Sequence, residues 1–578
     1  MFAEIIIHAK IPLGAFTYLV PSELANEVKI GQLVLVNFNG KKCMGLVISF
    51  KKNVDHFKCK PIIKIIDYNP LNNIYLDLIK WISEYYFCSL SESFRAIVPE
   101  APLRKIDLKQ KNNNTTATNN KPQNIFIAGL KTTRFKYYEE IIKKNISCGK
   151  KTIVCLASIE EATTISNFFN SKKTAIYHSK LSKSEKFSIY QKAKSGELNL
   201  IFGVRSAVFL PLADLETIIV DDPDAISQFS DQKPYLSTIK IAQRLSLQLN
   251  LKLIVGNIIP DAYYWNLHRK KQLILISDEF IKKTFKNIEI VSTKNEWVSV
   301  LNQTSRNEIL QNIKDLKKVF IFYPKNNGSV IIMCKDCNEI VKCEKCGKNI
   351  YLEADRLECR YCLFKSKTMK KCKKCKGSDF KKIGWGKDSL HQELELIDIN
   401  WSKYISIGSF DELDNLENTY DAIIALDFES IINKISFNQE EKLFVFLMKL
   451  STKTNNKIIM QINESDNPII QDFARKKIRE FLDKLLDSRK KYHLPPFGKI
   501  AIITCGDNDK DKAFSDMNNY IDKLSKIPEI SISGPFQNDY FRKNYLKYFQ
   551  IQIKFVNESQ KQMIIHDLPK TFYFQIQE

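Results

Sequence analysis

The sequence predicts a multidomain α/β protein: a small β-rich N-terminal domain, two α/β lobes with an insertion in the second, and an α+β C-terminal domain. Three observations carry this reading. At 578 residues the chain is too long for one core, and three to five domains are expected. Short apolar strands alternate with amphipathic helices in two separate stretches, the pattern of doubly wound parallel sheets. Four C-x-x-C pairs fall between residues 334 and 375, inside the second stretch. With 44% hydrophobic and 11% aromatic residues, there is ample apolar material for burial.

The elements follow in order. Residues 1–70 read as β-rich. LVLVNF (Leu33 to Phe38) runs into Asn39-Gly40 and returns as KKCMGLVISF, a strong hairpin signal because both turn residues tolerate positive φ. Residues 71 to about 100 look helical, with Leu76, Ile79, Ile82 and Tyr86 roughly on one face. KQKNNNTTATNNKPQN (109–124) is a polar linker nearly free of apolar residues. Residues 125–275 form the first lobe, with IFIAG, KTIVCLA, TAIYH, NLIFG, LETIIVDD and LKLIVG as buried parallel strands. The second lobe spans 276–333 and 376–491; its strands lie in KKVFIFYP, YISIGSF and YDAIIALDF, and one long helix covers Asn467 to Lys491. YHLPPFGKIAIITCG opens the C-terminal domain, 492–578.

The net charge of +23 points toward a polyanion partner, although the abundance of Lys, Ile and Asn is also what an AT-rich coding bias gives. The N-terminus, MFAEIIIHAKIPLGAF, lacks a basic segment followed by a long apolar run. No stretch approaches the roughly 18 apolar residues of a membrane span. A soluble, cytoplasmic protein without a membrane partner is expected, and in a reducing compartment fourteen cysteines are metal ligands before they are disulfides.

The eight clustered cysteines are Cys334/Cys337, Cys343/Cys346, Cys359/Cys362 and Cys372/Cys375. C-x-x-C lets two thiolates of one turn reach one ion, and two such pairs complete a tetrahedral site. Residues 334–375 therefore read as a double zinc module with four cysteines to each ion. Short loops bury little apolar surface, and metal binding is expected to supply their folding free energy. Spacing leaves the pairing open. The expected arrangement is nested, with Cys343, Cys346, Cys359 and Cys362 on one zinc and Cys334, Cys337, Cys372 and Cys375 on the other. Nine lysines crowd residues 365–382 and read equally as a phosphate-contacting or a solvated face. The other six cysteines (43, 59, 88, 148, 155, 505) are scattered and expected to be inert.

With this block in view, the chain resembles the PriA replication-restart family, superfamily 2 DNA helicases with four C-x-x-C pairs at similar spacing. Tyr177 to Asp222, including the G-x-R-S-A-x-F-x-P run at Gly203 to Pro211, is similar to the family's first lobe. FTYLVP, WISEYY, MCKDCNEIVKCEKC and LPPFGKIAII are similar as well. The resemblance implies an N-terminal domain for 3′ DNA ends, a truncated winged-helix-like segment at 71–108, and two RecA-like helicase lobes.

The resemblance also implies an ATP site, and here the motifs are eroded. A phosphate loop needs glycines, a Lys for the β/γ-phosphates and a Ser/Thr for Mg²⁺. In IFIAGLKTTRFKYYEE only Gly129 remains; Arg134 and Phe135 stand where Gly and Lys are needed, Lys136 is one position off, and Phe135 is expected to block the phosphates. The D-E-E-H motif is Asp221-Asp222-Pro223-Asp224, which leaves Gly129 and Asp221 as ATP and Mg²⁺ candidates and Asp222 as a vestigial partner. G-S-A-T-P has become GNIIP, and KLSTKTNNK (Lys449 to Lys457) replaces the arginine-finger motif.

Carried over from the family, Phe16, Asn39, Gly40 and Lys60 would grip a 3′ end, with Thr17 in place of an Asp; packing in the core explains Phe16 as well. Trp81 and Tyr85, four apart on one helical face, would dock the tail of single-stranded DNA-binding protein with Gln550; ordinary helix packing is the competing explanation. FRKNYLKYFQ (Phe541 to Gln550) suits a nucleic-acid face or an alternating strand. The expected function is DNA replication restart. The chain would bind forked and single-stranded DNA and recruit primosome proteins and the replicative helicase or its loader, without unwinding. The alternatives are an active ATP-dependent 3′-to-5′ helicase with an unorthodox nucleotide site, and a decaying gene product that keeps only its zinc fold.

Overall fold

The computed structural model describes residues 1–9, 14–52, 59–102, 123–169, 171–277, 287–293, 299–324, 330–337, 339–344, 350–353, 356–359, 364–367, 371–383, 387–409, 420–426, 437–462, 466–537, 547–569 and 571–577. The linker expected at 109–124 falls almost wholly outside them. One unit comprises residues 1–278, 500–503 and 557–578; the other comprises 279–499 and 504–556.

In the first unit, β1 (Phe2–Ile7), β2 (Ala15–Leu19), β3 (Leu33–Phe38), β4 (Lys41–Lys51) and β5 (Ile62–Asp67) form a sheet ordered β2-β1-β4-β3-β5. Asn39 and Gly40 make the β3–β4 turn at φ of 46° and 77°, pairing Phe38 with Lys41 as the Asn-Gly signal requires. Ile5, Ile7, Val34, Val36 and Val47 fill the core against this sheet. Helix α1 (Asn73–Tyr85) starts at Asn72, whose side chain accepts from the Tyr75 amide, and buries Leu76, Ile79 and Ile82. A capping box of Ser89 and Glu92 starts α2 (Leu90–Ile97). The Tyr75 hydroxyl donates to the Leu210 carbonyl at 3.0 Å and ties α1 to the first lobe.

That lobe runs β6 (Gln123–Ala128), α3 (Lys131–Ser147), β7 (Lys151–Cys155), α4 (Ile159–Ser166), β8 (Thr174–Tyr177), α5 (Lys183–Lys194), β9 (Leu200–Gly203), β10 (Leu215–Asp221), α6 (Thr238–Leu249), β11 (Lys252–Asn257), α7 (Ala262–Arg269) and β12 (Ile274–Ser277). Its seven strands are all parallel, in the order β12-β6-β11-β10-β7-β9-β8. All six predicted strands form. The seventh, β12, is a short edge strand with no buried face to mark it.

The second unit holds a parallel sheet of β13 (Asn287–Ser292), β14 (Val319–Phe322), β20 (Ile405–Gly408), β21 (Tyr420–Ala425) and β22 (Thr454–Ile462), ordered β13-β22-β21-β14-β20. Helix α8 (Gln303–Lys314) follows β13. Between β14 and β20 the chain makes a separate antiparallel sheet: β15 (Val330–Cys334), β16 (Tyr351–Glu353), β17 (Arg356–Glu358), β18 (Lys365–Lys367) and β19 (Phe380–Ile383). The cysteine block is thus an insertion in the lobe. Helix α9 (Lys387–Ile397) precedes β20, and α10 (Gln439–Ser451) lies between β21 and β22. The single helix expected over 467–491 is two, α11 (Pro468–Ala474) and α12 (Ile478–Lys491), because the backbone turns left-handed at Lys476 (φ 61°). The last elements are β23 (Lys499–Asp507), α13 (Lys510–Leu524), β24 (Ser531–Gln537), β25 (Lys547–Phe555), α14 (Glu558–His566) and β26 (Tyr573–Gln577). Among them β24 and β25 pair antiparallel. No helix among the described residues is long and apolar enough to cross a membrane.

Candidate nucleotide, metal and DNA sites

In open parallel sheets, ligands bind beyond the carboxyl ends of the strands. At that edge of the first lobe, Gly129 directly follows β6 and Asp221 ends β10, with β11 between them. The residues aligned with a phosphate loop are not a loop. Helix α3 begins at Lys131, and the Arg134 amide already donates to the Leu130 carbonyl at 2.9 Å.

The Arg134 side chain fills the space this helix faces. Its Nε and Nη2 donate to the two oxygens of Asp221 at 2.8 and 2.9 Å, Nη2 also reaches Asp222 Oδ1 at 2.9 Å, and Nη1 donates to the Gly129 carbonyl at 2.7 Å. One turn on, the Tyr138 hydroxyl donates to Asp221 Oδ1 at 2.6 Å. Arg134 is 3% exposed and Asp221 is fully buried. Burial opposes the guanidinium charge, but the carboxylates of Asp221 and Asp222 outweigh it and hold the Arg134 pKa well above its ordinary value. At the rim, Lys131 bridges Glu161 and lies 3.4 Å from Asp222.

Gly256 is required by this cluster. A Cβ there would lie 1.6 Å from the Tyr138 hydroxyl and 2.6 Å from Asp221 Oδ1. Phe135, expected to block the phosphates, instead packs against the hydrophobic core of the lobe, and Lys136 is exposed. The side chain that occupies the carboxylates is Arg134. The sequence places Arg134 where the resemblance implies a glycine but does not say what it binds, although an Asp-Asp pair at the end of a buried strand is a usable signal.

In the second unit, Cys334 ends β15 and Cys337 follows in the turn, while Cys372 and Cys375 occupy the turn before β19. Cys334 and Cys375 sulfurs are 3.4 Å apart, Cys337 and Cys372 sulfurs 3.7 Å, and all four lie within 4.8 Å of one another. A tetrahedral zinc site of four thiolates has sulfurs about 3.8 Å apart, so the outer four cysteines fit one metal ion. Of the inner four, Cys343 and Cys359 are buried in a small core with Ile332, Val341, Ile350 and Leu352; Cys346 and Cys362 lie outside the described residues. That core is more apolar packing than short loops were expected to supply. Lys365, Lys373 and Lys374 pair with Glu358, Glu344 and Glu339, a solvated arrangement. Burial pushes the thiols of Cys88, Cys155 and Cys505 up to about 12, consistent with inert positions.

In the N-terminal sheet the half-buried Phe16 ring packs 5.1 Å from Phe38, while Asn39, Gly40 and Lys60 are exposed. The family described as 3′DNA-binding domain (3′BD) matches residues 4–99. The replication restart protein PriA of Borreliella burgdorferi is 25% identical, with 90% of this chain aligned to 89% of that protein. Its counterpart in Rickettsia typhi is 23% identical over 96% of this chain and 97% of its own length. Over nine-tenths or more of its length the chain is similar to these PriA replication restart proteins. Among solved structures, RecG bound to a three-way DNA junction has a TM-score of 0.33 at 11% identity over 73% of this chain and 53% of its own, too slight a likeness to add to the assignment.

Within this PriA-like chain, Trp81 and Tyr85 stack at 4.8 Å on α1, each half-buried. The Arg244 guanidinium lies 5.5 Å from the Trp81 ring centre and the Lys561 ammonium 4.9 Å from that of Tyr85. Two aromatics and two cations thus share one face of the first unit. Gln550 sits on β25 of the second unit, opposite Phe536. Of FRKNYLKYFQ, residues 541–546 lie outside the described residues; Tyr548 and Phe549 are buried in β25.

Proposed function

We propose that this chain is a replication-restart scaffold that binds forked DNA by affinity and geometry and does not unwind it. The observation that carries this reading is the guanidinium of Arg134 on Asp221, Asp222 and the Gly129 carbonyl. Mg-ATP does not fit these residues: the lysine for its phosphates is missing, the loop is helix, and the metal-binding carboxylate is already neutralised by an internal cation. Losing an arginine finger as well removes a group worth about 10³–10⁵ in rate.

On this reading Phe16, Asn39, Gly40 and Lys60 meet a 3′ strand end by stacking and phosphate contact. The exposed Asn39-Gly40 turn and Lys60 support the role. Trp81 and Tyr85, flanked by Arg244 and Lys561, suit the tail of single-stranded DNA-binding protein; Gln550, in the second unit, is a candidate contact by resemblance alone. Two zinc ions brace the insertion, one on Cys334, Cys337, Cys372 and Cys375 and one on Cys343, Cys346, Cys359 and Cys362. Primosome proteins and the replicative helicase or its loader complete the set of partners.

Steady-state ATP hydrolysis with forked DNA tests the reading. No turnover above background is expected. Turnover that Asp221→Ala abolishes would reject the scaffold. Fork binding should persist without nucleotide, weaken steeply with salt as phosphate contacts release counterions, and fall in Lys60→Ala.

A further inference from the structure

We propose that Arg134 is a built-in replacement for a divalent cation, so that the first lobe is held permanently in one nucleotide-independent state. This deepens the scaffold reading and rests on it. The argument is one of charge and ligand chemistry. Asp221 Oδ1 and Oδ2, Asp222 Oδ1 and the Gly129 carbonyl all converge on one planar cation at 2.7–2.9 Å. Hard oxygens of two carboxylates and a carbonyl are the ligand type that Mg²⁺ or Mn²⁺ takes. A guanidinium satisfies the same oxygens through a rigid fork of donors, and unlike a metal it cannot dissociate.

The cation is also joined covalently to the element it anchors. Arg134 and Tyr138 lie four apart on α3 and both reach Asp221, while the Gly129 carbonyl is fixed by the same arginine. The start of α3 is thereby clipped to the ends of β6 and β10. In a nucleotide-using lobe that junction responds to its ligand; here the ligand's charge is written into the chain.

The proposal predicts a latent metal site. Removing the guanidinium leaves two buried carboxylates that a small divalent cation can neutralise. The test uses the full-length, zinc-loaded protein as wild type, Arg134→Ala, and an Arg134→Ala/Asp221→Asn/Asp222→Asn control. Thermal unfolding is followed with and without about 10 mM MgCl₂, and Mn²⁺ binding is read by electron paramagnetic resonance. Arg134→Ala should lose about 5 °C or more in Tm, recover at least half of it with Mg²⁺, and bind one more Mn²⁺ than wild type or control. The wild-type Tm should not move. If Arg134→Ala does not fold, Arg134→Lys, which keeps one ammonium but not the fork, should show a smaller metal-reversible loss. Absence of a metal response in the folded variant overturns the proposal, as does a wild type that matches Arg134→Ala in Mn²⁺ uptake. ATP turnover by wild type would sink the scaffold reading instead, and the two failures are read separately.

Discussion

The ammonium of Lys194, at the end of α5 in the first lobe, lies 2.9 Å from the carboxylate of Asp67 at the end of β5 in the N-terminal domain. The two side chains are 10% and 5% exposed, and Lys194 also donates to the Asn69 carbonyl. A buried pair of this kind is weak evidence for net stability, but breaking it by removing one partner strands the other charge. The N-terminal domain is therefore coupled to the lobe by a contact that tolerates loss of both partners better than loss of one.

Asp67→Ala should destabilise the first unit by about 3 kcal/mol, and Asp67→Leu/Lys194→Met by less. Burial lowers the Lys194 pKa and Asp67 opposes that effect. Without Asp67, the unfolded chain binds more protons than the folded one below the ordinary lysine value. Stability of Asp67→Ala should accordingly rise with pH between about 7 and 9.5, more steeply than that of wild type. Urea unfolding across that range checks it; equal slopes would show that Lys194 keeps its charge at no cost.

Gly256→Ala should cost about 1–3 kcal/mol, since the new methyl collides with the fully buried Tyr138 hydroxyl and with Asp221. Tyr138→Phe removes the nearest atom. The double variant should therefore be less destabilised than the two single losses added, with a coupling of about 0.5–3 kcal/mol. Strict additivity in a double-mutant cycle would mean that the helix start does not press on β11.

Cys337→Ser should release one zinc per chain, because the outer four thiols form one ligand set. Elemental analysis reads the loss directly. Proteolysis should then cut within residues 334–375 while the first unit resists, since the insertion has only a small core of its own. Unchanged zinc content in this variant would refute the assignment.

Trp81→Ala and Tyr85→Ala should each weaken binding of an acidic peptide matching the C-terminus of single-stranded DNA-binding protein by about tenfold, and Arg244→Ala should act in the same direction. Fluorescence anisotropy measures it. If the peptide binds the variants as well as wild type, the stacked pair is helix packing and no more.

Much of the fold is legible in the sequence because its physics is local. Strands covered on both faces, such as β9 and β14, read as unbroken apolar runs; the Asn39-Gly40 turn and the C-x-x-C pairs carry their geometry in their spacing. The misses are of another kind. Lys476 breaks a helix through one left-handed residue that no periodicity announces. Arg134 meets Asp221 across 87 positions of sequence, and missing motifs reveal what a site has lost rather than what has moved in. Phe135 draws suspicion as the blocking group by its size alone; the fold turns it into the core and leaves its neighbour at the carboxylates.

The early start of α3 has an evolutionary edge to it. Restoring glycine at Arg134 alone would abandon two sunken acids, and restoring lysine at Phe135 alone would pull an aromatic ring out of the interior. On the scaffold reading, each of these two single substitutions would pass through a less stable molecule, so the change would behave as a ratchet. On that same reading, a chain that carries this cluster would obtain its unwinding from another protein.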